Sequence, residues 1–168
     1  MGWAKHAMAE PVAGEGGVLA ALKQHLPVMG KIAMALVGDG ARVESILEEA
    51  ARQAATTVEP PADLKPWLFG LVRAASAKQL SKIPLKTRGF DTAPSTERLG
   101  AAAGARNALQ ELRPTEREAV VLSIVGRLNT QDLAVACNVD VQTAKTRLSR
   151  GLEQMLAAEE AATKEGAK

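Results

Sequence analysis

Asn138 and Asp140, separated by one residue, most constrain what this chain can fold into. Asparagine is, after glycine, the residue that best accepts the left-handed backbone ending a helix. An aspartate just ahead of a helical apolar pattern is an N-cap signal, because its carboxylate accepts the free N–H groups of the first turn. Within TQDLAVACNVDVQTAKTRLSRGLEQML the pair therefore predicts a short helix, a tight turn and a longer helix. Asn129 or Thr130 caps the first and Asp140 caps the second. That length pattern is a helix-turn-helix. Leu133 and Ala134 are the small or apolar residues that let the two helices cross closely. Val139 closes the turn from beneath, and Ala144 and Leu148 face inward. The outer face of the second helix carries Gln142, Thr143, Lys145, Thr146, Arg147, Ser149 and Arg150. Gln, Lys and Arg can read base edges in a major groove, and Thr, Ser and Arg can reach phosphates. Lys145, Arg147 and Arg150 oppose only Asp140 across this helix, so a formal net charge of +2 conceals a local basic face.

Composition points the rest of the chain the same way. Trp3, Trp67, Phe69 and Phe90 are the only aromatic residues of the 168, and there is no tyrosine. A β-sandwich or barrel draws on aromatic and β-branched residues, whereas alanine and leucine, strong helix formers, are abundant here. The expectation is an all-α chain of two helical domains joined by a flexible linker, the second containing the helix-turn-helix.

Residues 1–17 lack a stable period and are expected to form a flexible arm. A first helical domain is expected over 18–82. VLAALKQHLPVMGKIAMALVG has helical apolar spacing, with Pro27 marking a break or a first turn. Gly38-Asp39-Gly40 is a turn. The next helix turns Val43, Ile46, Leu47, Ala50 and Ala54 inward. After the loop around Pro60-Pro61, a third helix begins near Pro66, its buried side formed by Trp67, Leu68, Leu71 and Leu80. Residues 83–104 lose the period and read as the linker. The second domain is expected over 105–158, with Thr115 and Glu118 at capping-box spacing and Gly126 ending a helix, followed by a frayed tail over 159–168.

The C-terminal stretch resembles region four of the small, two-domain ECF (extracytoplasmic-function) type of bacterial RNA polymerase sigma factor. Asp132-Leu133-Ala134 stands where that family has an acidic-Ile-Ala triplet, and Thr143 to Leu148 where it has a T-V-K-S-R-L-like run. LVGDGARVESILEEA resembles the family's L-x-G-D-x-x-x-A-E-D-x-x-Q-E-x-F pattern in region two, and PWLFGLVRAASAKQLSK its W-L-F-x-I-A-R helix. The resemblance runs from near Leu19 to Leu156. It implies core RNA polymerase and promoter DNA as partners, with transcription initiation as the function. It implies polymerase contacts from Glu44, Glu48 and Glu49, minus-ten contacts from Arg73, Lys78 and Lys82, and minus-thirty-five contacts from the outer face after Asp140. Arg113, Arg117 and Arg127 are candidates for backbone contacts. An anti-sigma protein often holds such factors inactive, and a two-domain layout admits that partner here.

The departures from the pattern are concentrated in region two. Ser45 replaces an acid, Glu48 replaces Gln, and Ala51 stands where an aromatic is expected. Ala74 replaces Asn, Lys78 replaces Asp and Ser81 replaces an arginine. RQAATTVEPPADLK contains no ring, although aromatic stacking on opened bases contributes roughly 1–3 kcal/mol per base. These features also fit a sigma-like DNA-binding regulator without promoter-melting activity, or a sigma mimic that binds a protein partner.

No enzymatic constellation is present in the sequence. His6 and His25 have no Cys or paired acid at metal spacing, and Cys137 reads as a small buried hydrophobe. Gly38-Asp39-Gly40 is followed by Val43 where a dinucleotide fingerprint needs glycine, and no phosphate loop occurs. Neither cofactor, metal nor small-molecule substrate is expected. No apolar run approaches the roughly 20 residues of a membrane helix, and no secretory signal is recognisable. The expected location is the cytoplasm.

Overall fold

The structure is a computed structural model and describes residues 15–82 and 100–166. These residues form seven helices and no strand: α1 (Glu15–Val37), α2 (Gly40–Thr56), α3 (Leu64–Ser81), α4 (Gly100–Glu111), α5 (Pro114–Ile124), α6 (Thr130–Cys137) and α7 (Val141–Gly166). Residues 1–14 of the arm expected over 1–17, and most of the expected linker, lie outside the described residues, whereas 15–17 form the first turn of α1. Helix α4 starts inside the span read as linker.

Helices α1 to α3 pack on one another as a three-helix unit. Pro27 does not break α1, which runs through it. An interior proline costs a helix about 3 kcal/mol, but the next two turns bury Met29, Ile32, Ala33 and Leu36, and that burial offsets the lost backbone bond. Gly38, at φ 68°, makes the turn. Asp39 then caps α2 by accepting the Ala41 N–H. The buried line of α2, Ile46, Ala50 and Ala54 with Val43 and Leu47 packed at its edge, follows the helical period read from sequence. Asp63 caps α3, and Pro66 sits in its first turn.

The buried face of α3 matches the expected one at Leu68 and differs elsewhere. Leu68, Phe69, Val72, Ala75 and Ser76 are fully enclosed, while Trp67, Leu71 and Leu80 are only partly covered. The cause is tertiary. One side of α3 packs on α1 and α2, and another packs on α6. The two helical units are therefore not two separate cores. One continuous apolar cluster runs from Met29 and Ile32 through Phe69 and Val72 to Leu122, Leu133 and Ala144. Gly70 makes the closest approach at this seam, because a Cβ there would lie 2.9 Å from the Ala136 carbonyl oxygen.

In the second unit, α5 begins at Pro114 with Arg113 at the N-cap position and no side-chain cap. The expected Thr115–Glu118 capping box does not form, because the helix starts two residues earlier than that box requires and the Glu118 carboxylate is engaged by Arg73. Asn129 caps α6 by accepting the Asp132 N–H. Asn138 ends it in the left-handed conformation, φ 53° and ψ 52°. Helix α7 continues to Gly166 rather than fraying near 159, as its alanine-rich sequence favours. A β-branched residue pays about 1–2 kcal/mol or more in the left-handed region. Replacing Asn138 by Val is expected to lower unfolding free energy by that amount, while Asn138→Gly stays near wild type, as denaturant titration of both variants will read.

Candidate nucleic-acid interface

The surface after Asp140 is set by its cap. Asp140 accepts the Thr143 N–H at 2.8 Å, and the Thr143 hydroxyl donates to its other carboxylate oxygen. Those bonds hold the Asp140 carboxyl below the usual carboxylate value. With Ala144 fully buried and Leu148 packed against the core, Gln142, Lys145, Ser149 and Arg150 are exposed, and Thr143, Thr146 and Arg147 are half-buried. The Thr146 hydroxyl donates back to the Gln142 carbonyl at 2.9 Å. Ala144 fixes the rotation of α7, so that four of the seven residues read from sequence as the outer face are exposed and three are half-buried.

This face extends into a polar cleft with the start of α5. Arg113, Thr115 and Glu116 line one wall, and Gln142, Thr143, Thr146, Arg147 and Arg150 line the other. Glu116 is a buried carboxylate in the first turn of α5, and its Oε2 has no hydrogen-bond partner. Of the α5 wall, only Arg113 was legible as a candidate contact from sequence. Three arginines around one cleft make it suited to a phosphate backbone.

The other two candidate backbone arginines have different surroundings. Arg117 reaches back to the end of α4, its Nε donating to the Leu109 carbonyl at 2.7 Å and its Nη2 to the Gln110 and Leu112 carbonyls. It thus satisfies the acceptors that a helix C-terminus leaves open. Arg127 is exposed, with left-handed backbone at φ 51°. Hydrogen bonds from charged donors contribute about 1.5–3 kcal/mol each. Arg117→Ala is therefore expected to lower stability by about 2 kcal/mol or more, with DNA affinity per folded molecule unchanged within a factor of about two. Denaturation and anisotropy titration on the same sample separate the two effects.

The region-two candidates divide into two groups. Lys78 lies in the last turn of α3 and Lys82 is its C-cap, four residues on. They line a polar groove with Ser45, Glu48, Glu49, Arg52 and Gln79. Arg73 is five residues before Lys78, about 140° around the helix, and faces α6 instead. Its Nε donates to the Ala136 carbonyl at 2.9 Å and its Nη1 to Glu118 Oε2 at 3.3 Å. Glu44 and Glu48 are exposed on α2. Glu49 is occupied by its neighbours. Arg52 and Gln53 donate to it from the same helix, and Lys78 Nζ from α3 at 3.2 Å. These bonds lower its pKa to about 2.

Burial pushes the Glu118 carboxyl above its ordinary value of 4.5, against the opposing pull of Arg73, Arg147 and Arg117. The folded chain therefore holds the Glu118 proton more readily than the unfolded chain does. By linkage, stability falls as pH rises from about 4.5 through the raised value. Glu118→Gln is expected to flatten that part of the stability profile, measured by urea unfolding at stepped pH. Cys137 is buried and free, and burial raises its thiol to about 11, so it is not a poised nucleophile. Among the described residues no cluster of His, Cys, Asp and Glu could hold a metal ion, and no helix is long and apolar enough to cross a membrane.

Residues 104–155 match the family model Sigma-70, region 4. The chain carries a sigma-70 region 4 domain, a DNA-binding module. Over most of its length the fold is similar to those of two solved structures. One similar solved structure is the sigma factor RpoE in complex with the anti-sigma factor NepR from Bartonella quintana. It is 20% identical, with a TM-score of 0.67, covering 84% of this chain and 96% of that one. Another is CnrH in complex with the cytosolic domain of CnrY, 15% identical, with a TM-score of 0.68, covering 88% and 90%. No curated protein matches the sequence.

Proposed function

We propose that this chain is an ECF-type sigma factor that binds core RNA polymerase in the cytoplasm and directs promoter-specific transcription initiation. The observation that carries this reading is the capped α7, whose exposed Gln142, Lys145, Ser149 and Arg150 stand on a sigma-70 region 4 domain. Gln142 and Lys145 read bases of the minus-thirty-five element, and Arg113, Arg147 and Arg150 hold the adjoining phosphates. On α2, Glu44 and Glu48 meet the polymerase clamp, with Glu49 as their neighbour. Lys78 and Lys82 approach the minus-ten region. An anti-sigma protein is the natural further partner, since the two similar structures include a sigma factor bound to one.

The test is binding of the purified chain to core RNA polymerase, with a clamp-helix variant of the polymerase as control, followed by transcription from a promoter library. Saturable binding lost with the clamp variant, and initiation at a defined sequence, support the reading. Salt-dependent duplex binding with no polymerase binding supports the second reading, a stand-alone DNA-binding regulator. That second reading is favoured by the ringless stretch from Arg52 to Lys65, which offers nothing to stack on opened bases.

A further inference from the structure

Helix α1 leaves one apolar stripe in water. Leu19, Leu26 and Met34 are 54%, 47% and 39% exposed. They follow one another at spacings of seven and eight residues and so share one side of the helix, with Gly30 between the last two. Scattered exposed leucines are ordinary, but a continuous apolar patch marks a place where something binds. Here the stripe runs into a groove of about 470 Å³ between α1 and α4. Gly30 and Met34 line it from α1 and Leu109 from α4, with the cations Lys31 and Arg106 beside them. Among the described residues, neither cation forms an ion pair. An apolar groove flanked by two cations suits an indole. Its large ring gains from apolar burial, and its face attracts Lys and Arg.

The chain carries such a ring at Trp3, in the segment before α1, which begins at Glu15. Chain geometry brings it within reach. Gly30 stands about 22 Å along α1 from Glu15, whereas the chain from Trp3 to Glu15 spans up to about 40 Å when extended. The surplus allows a reversal, and Pro11 and Gly14 are residue types that turns favour. With Trp3 level with Gly30, Met8 comes level with Leu19, because five extended residues and eleven helical ones both cover about 17 Å.

We propose that residues 1–14 fold back along α1 and seat the Trp3 indole in the α1–α4 groove of the same chain. The arm then covers Leu19 and Leu26 on its way, and Lys31 and Arg106 meet the face of the ring. No promoter or polymerase contact is involved, so the proposal stands apart from the sigma-factor reading.

Acrylamide quenching of tryptophan fluorescence in the full chain is the test. Acrylamide is neutral, so the two cations do not bias its approach. Subtracting the signal of Trp3→Ala isolates Trp3 from Trp67 and leaves α3 untouched. Native Trp3 is expected to be quenched about tenfold less than in urea, as a ring docked about nine-tenths of the time would be. Gly30→Leu and Met34→Lys, each again paired with its Trp3→Ala counterpart, should restore the quenching seen in urea. A Cβ at Gly30 meets only Leu47 Cδ1, at 3.9 Å, and Met34 is partly exposed, so neither substitution disturbs the core. Circular dichroism confirms that both variants keep their helices. Deleting residues 1–14 should uncover the stripe and raise binding of the apolar dye ANS above that of the full chain.

Native Trp3 as accessible as in urea overturns the proposal. Shielding that survives both groove variants does so too, since it places the ring elsewhere. Equal dye binding by the full and shortened chains also counts against it. Shielding that disappears on dilution, together with a dimer in sedimentation, would make the occupant the arm of a second copy and overturn the assignment within one chain.

Discussion

Phe69→Ala is expected to lower the unfolding free energy by about 3–5 kcal/mol, the usual result of truncating a fully buried phenylalanine. Phe69 is completely enclosed. Its ring meets α1 at His25 and the α5–α6 turn at Gly126, so its loss opens a cavity where three segments converge. The surroundings cannot easily collapse into that cavity. Gly126 is already tight, because a Cβ there would lie 3.1 Å from Phe69 Cδ2 and 2.5 Å from the Leu122 carbonyl oxygen. Denaturant unfolding followed by far-ultraviolet dichroism is the measurement. A second consequence distinguishes this site from ordinary core positions. Because Phe69 joins the two units, the variant should lose the single cooperative transition and unfold in two steps. A loss below about 1 kcal/mol with cooperativity intact would mean that the ring is not enclosed between the units.

The combined variant Gln142→Ala, Lys145→Ala is expected to reduce affinity for a cognate duplex by about 30- to 10,000-fold, since each good base contact contributes roughly 1–3 kcal/mol of discrimination. Both side chains are exposed on the first turns of α7. Asp140 and Ala144 hold that helix in place from beneath. Their removal should cost little stability, because neither side chain is buried. The diagnostic is specificity: affinity for unrelated duplex should fall far less than affinity for the cognate site. Arg150→Ala is expected to behave differently, weakening binding to all sequences and reducing the slope of log affinity against log salt by about one. Fluorescence anisotropy across a salt series measures both. Unchanged sequence preference in the double variant would remove α7 from base reading.

Some of these features were legible in the sequence because they depend on neighbours only a few residues away. Asn129 and Asp140 accept backbone N–H groups three positions ahead, so residue type and helical period suffice to place them. Asn138 is left-handed for the same local reason. The capping box at Thr115 misled because local spacing said nothing about Arg73, 45 positions before Glu118. Pro27 misled because a local penalty was outweighed by burial that only the packed bundle supplies.

The sequence by itself determined most of the helices, the Asn129, Asn138 and Asp140 caps, the helix-turn-helix and much of the face of α7 that points outward, since each follows from interactions within one or two helical turns. Tertiary structure alone decided what the charged residues do. Arg73 meets the carbonyl of Ala136, 63 positions away, and Glu49 is held by Lys78 across α2 and α3. Arg117 folds back onto the end of α4. A long, flexible cation can reach many acceptors, and which one it finds depends on where distant segments come to rest. Close packing at Gly70 and Phe69 fixes that choice here.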